Sequence, residues 1–563
     1  MCCVCNSKNY IVSQTPKQII LERLIMHIAV IDDGINYECY RTGNLIYDIE
    51  VSTELMITER KPYDPHMHSH GTTCAAIIKK YFPEAKFSSI KILEINSGKC
   101  IQKQLISAIE WCIDQGIYLI NISLGSTDYR DYEEIRKCIN KAAGAGITIV
   151  AAGSNKNIVT YPASLSNVIG VKCDNTNQTK GESIAYFLLP LHGIDFMVSG
   201  KHRLVDENGN DELTQPSNSF AAPYVTALAA KILKEESGLN IDEVKYKICQ
   251  MSNKKDELNS AFVFYRKIDW VEKAVVLCMG EGRLNKTRYE NYSFHVEAMI
   301  NITSCDFKEG IQNIVEWAMI GAALSDADTV IIDAEETNSI YDMQNILDLW
   351  KVLIQKNKNL IFTFGLKCYN MEETLLSVPP GKKLWQPNLY SNSCRYQSDI
   401  AVTVPVIGVF NYCNNEPVGI LSHLCRMFRN DGYHAVFASD SDEDVLEGGE
   451  YILLDEQENI YHYTKALYSA YLPDLIVLGL NHRKHSGFQM NKDLSDFPLD
   501  VRIYIIDNKS DLTDDDFDSE SVNILLIHGT EIDLSTGMKV IDLSKGFFLK
   551  ELYSYLVNEL KSE

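Results

Sequence analysis

The sequence lacks any run of about eighteen apolar residues, the length that a transmembrane helix needs. Its N-terminus has no charged segment followed by an apolar one, as a secretory signal would. Basic residues are the minority, with 53 Lys and Arg against 76 Asp and Glu, a formal net charge of −23. This balance argues against a nucleic-acid backbone or an anionic membrane as the main partner. We therefore expect no nucleic-acid partner and no membrane partner.

A disulfide spacing is also absent, although the chain has 16 cysteines. Most of them stand singly, and several lie in apolar stretches such as the one around Cys112. This distribution is typical of buried thiols in a reducing compartment and predicts a cytoplasmic protein. Cys2, Cys3 and Cys5 form a cluster, but no second Cys or His pair follows at ligand spacing, so we predict no metal there.

The chain has 563 residues, more than one hydrophobic core usually supports, so several domains are expected. Short β-branched runs alternate with amphipathic helical patterns, which is typical of α/β domains with parallel sheets and helices on both faces. We predict an N-terminal segment at 1–20, a parallel-sheet domain at 21–280, an α/β region at 281–395 and a C-terminal, Rossmann-like α/β domain at 396–563. Strands are predicted at 27–31, 117–122, 147–151, 167–171, 329–332, 359–364, 401–410, 434–438, 474–478, 502–506 and 523–527, and helices at 103–115 and 132–145.

The first of three chemically suggestive segments ends a predicted strand with Asp32, followed by Asp33 and Gly34. A strand that ends on an acid delivers its carboxylate to the edge of a parallel sheet where open α/β folds bind ligands. Alone, such an acid often only caps a loop. We expect Asp33 to be a solvated or loop-capping acid rather than a second catalytic group.

The second segment has His70 followed by Gly71 and Thr72 and then by small residues. This pattern suits an imidazole at the start of a helix that packs tightly on the sheet. His66, His68 and His70 also alternate, and they would share one face of a strand in a metal site. A carboxylate or fourth ligand at suitable spacing is missing, so we predict no metal.

The third segment places Ser219 at the start of an alanine-rich apolar helix. There its hydroxyl would lie among helix N-terminal amides, which favour a developing negative charge. By itself the serine is better explained as an N-cap. The chain order Asp32, His70, Ser219, however, is one of the few orders in which the Ser-His-Asp triad recurs.

Together these segments resemble the motifs Val-Ile-Asp-x-Gly, His-Gly-Thr-x-x-Ala and Ser-x-Ala-x-Pro-x-Val of the subtilase family, over roughly residues 21–278. The resemblance implies a subtilisin-like domain with Asp32, His70 and Ser219 as the catalytic triad of a serine endopeptidase. It also implies that residues 267–275 form the helix that closes the catalytic domain. The six implied substrate-binding residues are Ser123, Leu124 and Gly125, on a strand that pairs with the substrate, and Ala151, Ala152 and Gly153, on the wall of the primary pocket.

The sequence departs from the family pattern at three places. Ser217 and Asn218 precede the nucleophile where Gly-Thr is usual, and Ala76 replaces a glycine. The third departure affects the oxyanion donor, since Ser154 occupies the place of the usual Asn and Asn155 follows it. Between Asn155 and Ser154 we predict Asn155 as the donor, because a small shift of the loop would bring its amide into place.

The C-terminal half carries less information. Residues 404–410 lead through a loop to a helix predicted from Pro417, with Leu421, Leu424 and Phe428 on its apolar face. This is the layout of a nucleotide-binding domain, but the loop lacks Gly-Lys-Ser/Thr and phosphate-binding glycines. We predict no cofactor, and a degenerate nucleotide-binding fold used for recognition.

Asp32 lies so near the start of the chain that no long prodomain is expected before it. In this respect the chain resembles short-headed intracellular subtilases that cut leaders from ribosomally made peptide natural products. The predicted function is therefore an endopeptidase acting on a precursor peptide, with the C-terminal half recruiting that substrate. Two alternatives are a subtilase-fold protein that binds peptides with weak or no cleavage, and an NTPase with a vestigial peptidase domain.

Overall fold

The computed structural model describes the following residues of the chain: 26–61, 67–93, 101–175, 183–187, 190–252, 266–279, 292–302, 326–334, 340–363, 381–387, 400–413, 419–452, 460–481, 499–507, 521–527 and 538–562. Predictions for the segment 1–20, for Cys2, Cys3 and Cys5, for His66 and for Pro417 fall outside the described residues. Within the described residues, no helix is both long and apolar enough to cross a membrane.

The first sheet has nine strands, and β1 lies inside it. The strands are β1 (His27–Asp32), β2 (Tyr47–Val51), β3 (Ile57–Glu59), β4 (Lys86–Lys91), β5 (Leu119–Ile122), β6 (Thr148–Ala152), β7 (Ile169–Cys173), β8 (Ala185–Tyr186) and β9 (Phe196–Val198). Their order across the sheet is β3-β2-β4-β1-β5-β6-β7-β9-β8, and only the edge strands β3 and β8 pair antiparallel. A two-stranded hairpin, β10 (Arg203–Val205) and β11 (Asp211–Leu213), follows along the chain. The parallel sheet predicted for this half is confirmed.

Five helices cover the two faces of this sheet. They are α1 (His70–Tyr81), α2 (Gln102–Asp114), α3 (Tyr132–Gly144), α4 (Asn218–Glu235) and α5 (Ile241–Gln250). Ile28 and Val30 of β1 share one apolar cluster with α1, α4 and α5, whereas Ala29 and Ile31 share another with α2 and α3. This alternation explains why residues 28–31 of β1 are all apolar, because side chains at successive strand positions enter opposite layers of the core.

The described residues after α5 form two further parallel sheets. The second sheet and its helix comprise β12 (Lys273–Met279), β13 (His295–Ile302), β14 (Thr329–Ala334), α6 (Ile340–Gln355), β15 (Asn359–Phe362) and β16 (Leu384–Trp385), and the strand order is β13-β12-β14-β15-β16. The third sheet and its helices comprise β17 (Val406–Asn411), α7 (Ile420–Asn430), β18 (Ala435–Ser439), α8 (Asp442–Leu446), β19 (Glu450–Tyr451), α9 (Ile460–Tyr471), β20 (Leu475–Asn481), β21 (Val501–Ile506), β22 (Val522–Ile527), β23 (Lys539–Asp542) and α10 (Phe548–Ser562). Its strand order is β19-β18-β20-β17-β21-β22-β23.

The predicted strands of both halves are present within a few residues of their expected limits. Leu421, Leu424 and Phe428 are buried on α7, as the helical periodicity predicted. The helix expected at 267–275 is wrong, because β12 begins at Lys273 and pairs parallel with β13 and β14. Residues 274–278 of this strand are buried and include the β-branched Val275 and Val276, which is typical of a central parallel strand, and the strand belongs to the second sheet. The remaining domain limits stay predictions.

Candidate active site

His70 and Asp32 meet where the first sheet contacts the start of α1. Asp32 is the last residue of β1 and its side chain is fully buried. The Nδ1 atom of His70, the first residue of α1, lies 2.9 Å from both carboxylate oxygens of Asp32. The imidazole stacks on Phe220, with the ring centres 5.2 Å apart. The carboxylate therefore fixes the ring and requires the proton to lie on Nδ1.

The position of His70 follows from how α1 begins. Asp33 accepts hydrogen bonds from the backbone N–H groups of His70 (3.0 Å) and Gly71 (2.8 Å), and Ser69 Oγ accepts one from Thr72 N–H (3.2 Å). These bonds satisfy N–H groups that have no partner inside the helix. Asp33 is thus a capping acid, as predicted.

Ser219 is the second residue of α4 and lies beside the end of β5. Its hydroxyl donates to the carbonyl oxygen of Ser123 at 3.2 Å, and the Ser123 hydroxyl donates to the Ser219 carbonyl oxygen at 3.1 Å. Because Phe220 stacks on the His70 ring, the residue next to Ser219 lies against the imidazole. The structure therefore brings the three predicted triad residues to one edge of the sheet.

The first turn of α4 leaves one backbone donor available. Asn218 N–H donates to Asn155 Oδ1 at 3.1 Å, and Phe220 N–H donates to Ser217 Oγ at 3.3 Å. Within the part of the chain that the structure describes, Ser219 N–H has no such acceptor. It lies at a helix N-terminus, where the helix dipole favours an anion.

The two candidate oxyanion residues have different surroundings. Ser154 serves its own loop, since its N–H donates to Thr160 Oγ1 (3.1 Å) and its Oγ accepts from Lys156 N–H (3.2 Å). Asn155 is exposed, and its side chain contacts the start of α4. The side chain of Asn218 also joins α4 to this loop, because it donates to the carbonyl oxygens of Gly153 and Ser154, each at 2.9 Å.

The other predicted substrate-binding residues divide into two groups. Ser123, Leu124 and Gly125 follow β5, and exposure rises along them from buried to exposed. A Cβ at Gly125 would lie 2.8 Å from the Tyr161 carbonyl oxygen, so only glycine allows this close approach. The second group lies at the end of β6, where Ala151 and Ala152 are buried within the strand and Gly153 is half-buried.

The electrostatics of the site centre on His70. Burial works against its charged form, but the carboxylates of Asp32 and Asp33 outweigh burial and raise the pKa of His70. Burial, followed by the nearby charge of Asp32, raises the pKa of Asp33. His202 behaves differently, because burial lowers its pKa to about 4 while its Nε2 donates to the Phe220 carbonyl oxygen.

One group of residues in the described part of the chain has the geometry of a metal site. The ligand atoms of Asp32, His70 and Cys74 all lie within 4.8 Å of one another. Burial raises the pKa of the fully buried Cys74 thiol, which opposes the thiolate that a metal would need. Asp32 and His70 already bind each other, so we interpret the group as a hydrogen-bonded one.

The residues that support Ser123 were not predicted from the sequence. Cys74 Sγ donates to Ser123 Oγ at 3.4 Å, and Asn121 Nδ2 donates to the same atom at 3.0 Å. Thr226 of α4 in turn donates to Asn121 Oδ1 at 2.9 Å. A polar Asn121 inside the apolar run of β5 was the available signal, because buried polar groups need partners.

Residues 26–264 match the model of the Subtilase family. Subtilisin DY of Bacillus licheniformis is 26% identical over 242 residues, which cover 40% of this chain and 85% of that protein. Thermostable alkaline protease of Halalkalibacterium halodurans is 25% identical over 236 residues, covering 40% of this chain and 61% of its own length. Among solved structures, a lanthipeptide protease is 15% identical with a TM-score of 0.32, covering 41% of this chain and 83% of the other.

The charges around His70 generate a prediction for its titration. We expect a pKa above the usual 6.5, and a lower pKa in both Asp32→Asn and Asp33→Asn because each loses a charge that stabilises the imidazolium. NMR titration of ¹³C-labelled histidines measures the pKa of His70. Asp128→Asn is the control variant, because Asp128 lies away from the site, and His202 is the reference ring, because it stays neutral near pH 7. Identical His70 pKa values in all variants would contradict this electrostatic account.

Proposed function

We propose that this chain is a serine endopeptidase in which Ser219 is the nucleophile, His70 the general base and Asp32 the group that orients it. The observation that carries the proposal is the geometry of His70, whose Nδ1 lies 2.9 Å from the buried Asp32 carboxylate. Beside this pair, Ser219 lies in the first turn of the buried helix α4, where its own backbone N–H is an available donor. The match to the Subtilase family over residues 26–264 supports the same function.

Acyl transfer requires one rearrangement of the side chains. The Ser219 hydroxyl leaves the Ser123 carbonyl by rotation about its side-chain torsion and donates to His70 Nε2. Ser219 Oγ then attacks the peptide carbonyl carbon while His70 takes its proton, and Asp32 stabilises the imidazolium. His70 returns the proton to the leaving amine, and water hydrolyses the acyl-enzyme by the same route.

Two donors are in a position to stabilise the oxyanion. Ser219 N–H is one, and we assign the second to the Asn155 Nδ2 group, since Asn155 Oδ1 is already held by Asn218 N–H. Ser154 fits the role less well, because its N–H and Oγ make bonds within the loop. Such preorganised donors act where charge develops in the transition state.

We propose a peptide substrate that adds as a strand along Ser123, Leu124 and Gly125, because main-chain pairing recognises extended peptides. The finer proposal is a precursor peptide that loses its leader during natural-product maturation, and it rests on a subtilase-like first sheet joined to two further α/β sheets. A cytoplasmic location is proposed from the nine cysteines in the described residues, all buried as thiols.

A second candidate is a protein that binds peptides with weak or no cleavage. The observation that favours it is the Ser219 hydroxyl, which donates to the Ser123 carbonyl oxygen in the structure. If substrate binding does not release this bond, His70 has no proton to accept.

The two candidates predict different reactions with an active-site probe. A fluorophosphonate should label the purified protein at Ser219 alone, because only an activated serine attacks it rapidly. Ser219→Ala and His70→Ala should both abolish labelling, as read by mass spectrometry of the digested protein. Labelling that persists in Ser219→Ala would disprove the assignment, and a wild type that never labels would favour the binding protein.

The donor assignment predicts a ranking of variants. Asn155→Ala should lower kcat by about 10²-fold with little change in KM, because an oxyanion donor acts mainly in the transition state. Asn155→Asp keeps the acceptor for Asn218 N–H but loses the donor, so it should lose at least as much. Ser154→Ala is the matched control and should change kcat far less. The reverse ranking, measured with a fluorogenic peptide, would assign the donor to Ser154.

The precursor proposal predicts a difference between long and short substrates. A full-length precursor peptide should have a higher kcat/KM than a short peptide spanning only its cut site, because remote contacts contribute to transition-state binding. Mass spectrometry should locate one cleavage between leader and core. A precursor with a scrambled leader is the control, and equal efficiency for all three substrates would argue for a non-selective peptidase.

A further inference from the structure

The loop after β6, residues 153–161, is bound on both sides, and we name it the oxyanion loop. On one side Asn218 of α4 donates to its Gly153 and Ser154 carbonyls. On the other side the N–H of Val159 donates to the carbonyl oxygen of Ala470 at 2.7 Å. Ala470 is the penultimate residue of α9, a helix of the third sheet. The loop therefore lies between the nucleophile helix and the C-terminal part of the protein.

The oxyanion loop and α9 also share an apolar cluster. Val159 and Tyr161 of the oxyanion loop are buried in the same cluster as Tyr463, Leu467 and Ala470 of α9. Leu467 is fully buried there. Close packing transmits displacement, because interiors have few voids into which side chains can relax. A shift of α9 would consequently displace Val159.

The other predicted wall of the substrate cleft is the segment that begins at Ser123, after β5. It also contacts the third sheet and its helices. Ser126 and Tyr161 exchange two backbone hydrogen bonds of 2.7 and 2.8 Å, which join this wall to the oxyanion loop. Three residues further on, the ring of Tyr129 stacks on His434 with the ring centres 4.8 Å apart. The Tyr129 hydroxyl also donates to the Arg429 carbonyl oxygen at 3.3 Å. Both walls thus have contacts with the third sheet and its helices.

Helix α9 is itself held in place by a buried ionic group. Arg266 Nε donates to Glu450 at 2.9 Å, and Arg266 Nη2 donates to the Tyr463 hydroxyl at 2.9 Å. Burial raises the pKa of Glu450, but Lys267 and Arg266 outweigh it and hold that pKa below its usual value. The carboxylate therefore stays charged. This anchoring makes α9 a fixed support.

We infer that α9 is a positioning element of the active site, which fixes Val159 and through it the Asn155 donor and the pairing of Tyr161 with Ser126. This inference rests on the proposed function. Residues 155–157 at the tip of the oxyanion loop are exposed, so its anchors set the position of the donor. A displacement of about 1 Å in such a group can cost on the order of 10² in rate. The C-terminal part is then required even for short substrates, unlike the separate recruiting module expected from the sequence.

Two buried leucines allow a matched test in the full-length protein. Leu467 of α9 and Leu552 of α10 are both fully buried, but Leu552 belongs to the apolar cluster that contains α7 and not the oxyanion loop. Replacing each by Ala removes the same atoms, and Leu467→Met keeps most of the volume. Assays at a temperature below every unfolding transition separate positioning from global stability.

We expect Leu467→Ala to lower kcat for a short fluorogenic peptide about 10-fold, with a smaller change in KM. Its ratio of rates for large and small residues at the cleaved position should also shift, because the displaced loop includes Gly153 of the predicted primary-pocket wall. Leu552→Ala should stay within about twofold of wild type, and Leu467→Met should recover most of the activity. Equal kcat values and cleavage ratios in both Ala variants would overturn the inference.

Hydrogen exchange tests the same inference without activity. Amides of residues 153–161 should exchange at least 10-fold faster in Leu467→Ala than in Leu552→Ala, while those of α4 stay protected in both. Unchanged exchange of the oxyanion loop in Leu467→Ala would refute the positioning role. If the wild type fails to react with a fluorophosphonate, the peptidase function is wrong, and exchange still decides whether α9 supports the loop.

Discussion

The candidate site depends on the close approach of α1 to the turn that follows β1. A Cβ at position 71 would lie 2.8 Å from the Gly34 carbonyl oxygen and 2.9 Å from Asp32 Cβ, so glycine is required there. Asp33 can then cap the helix, and His70 reaches both oxygens of Asp32. The fixed tautomer and the raised pKa of His70 both follow from this approach.

The other side of the site, around the proposed nucleophile Ser219, depends on a different residue. Asn218 donates to two carbonyls of the oxyanion loop, and its Oδ1 accepts from the Cys173 N–H at 2.7 Å. One side chain thus joins α4, β7 and the loop after β6. Where the family usually has Thr, this Asn offers both donor and acceptor atoms for that junction. This departure from the family pattern therefore has a structural role, since Asn218 joins α4, the helix of the proposed nucleophile, to the oxyanion loop.

Sequence reasoning located the elements that carry Asp32, His70 and Ser219, because each lies where a strand ends or a helix begins and local pattern marks such points. It could not predict the partners of Asn218, which lie 45 to 65 positions away along the chain. It also assigned a helix to the start of β12, because the family resemblance was extended beyond the catalytic sheet. The β-branched pair Val275 and Val276 indicated a strand, and their burial in the second sheet agrees with that pattern.

The junction between the first and third sheets combines an apolar interior with buried charge, and the two supply different properties. Packing around Leu467 provides free energy but tolerates alternative arrangements of similar volume. Arg266 restricts the arrangement more strongly. Its planar guanidinium donates hydrogen bonds to Glu450, the Tyr451 carbonyl oxygen and the Tyr463 hydroxyl, and all three form only in one geometry. A buried ion pair contributes little net stability after desolvation. We therefore interpret this one as a device that selects a single placement of α9, which is what a support for a catalytic loop requires.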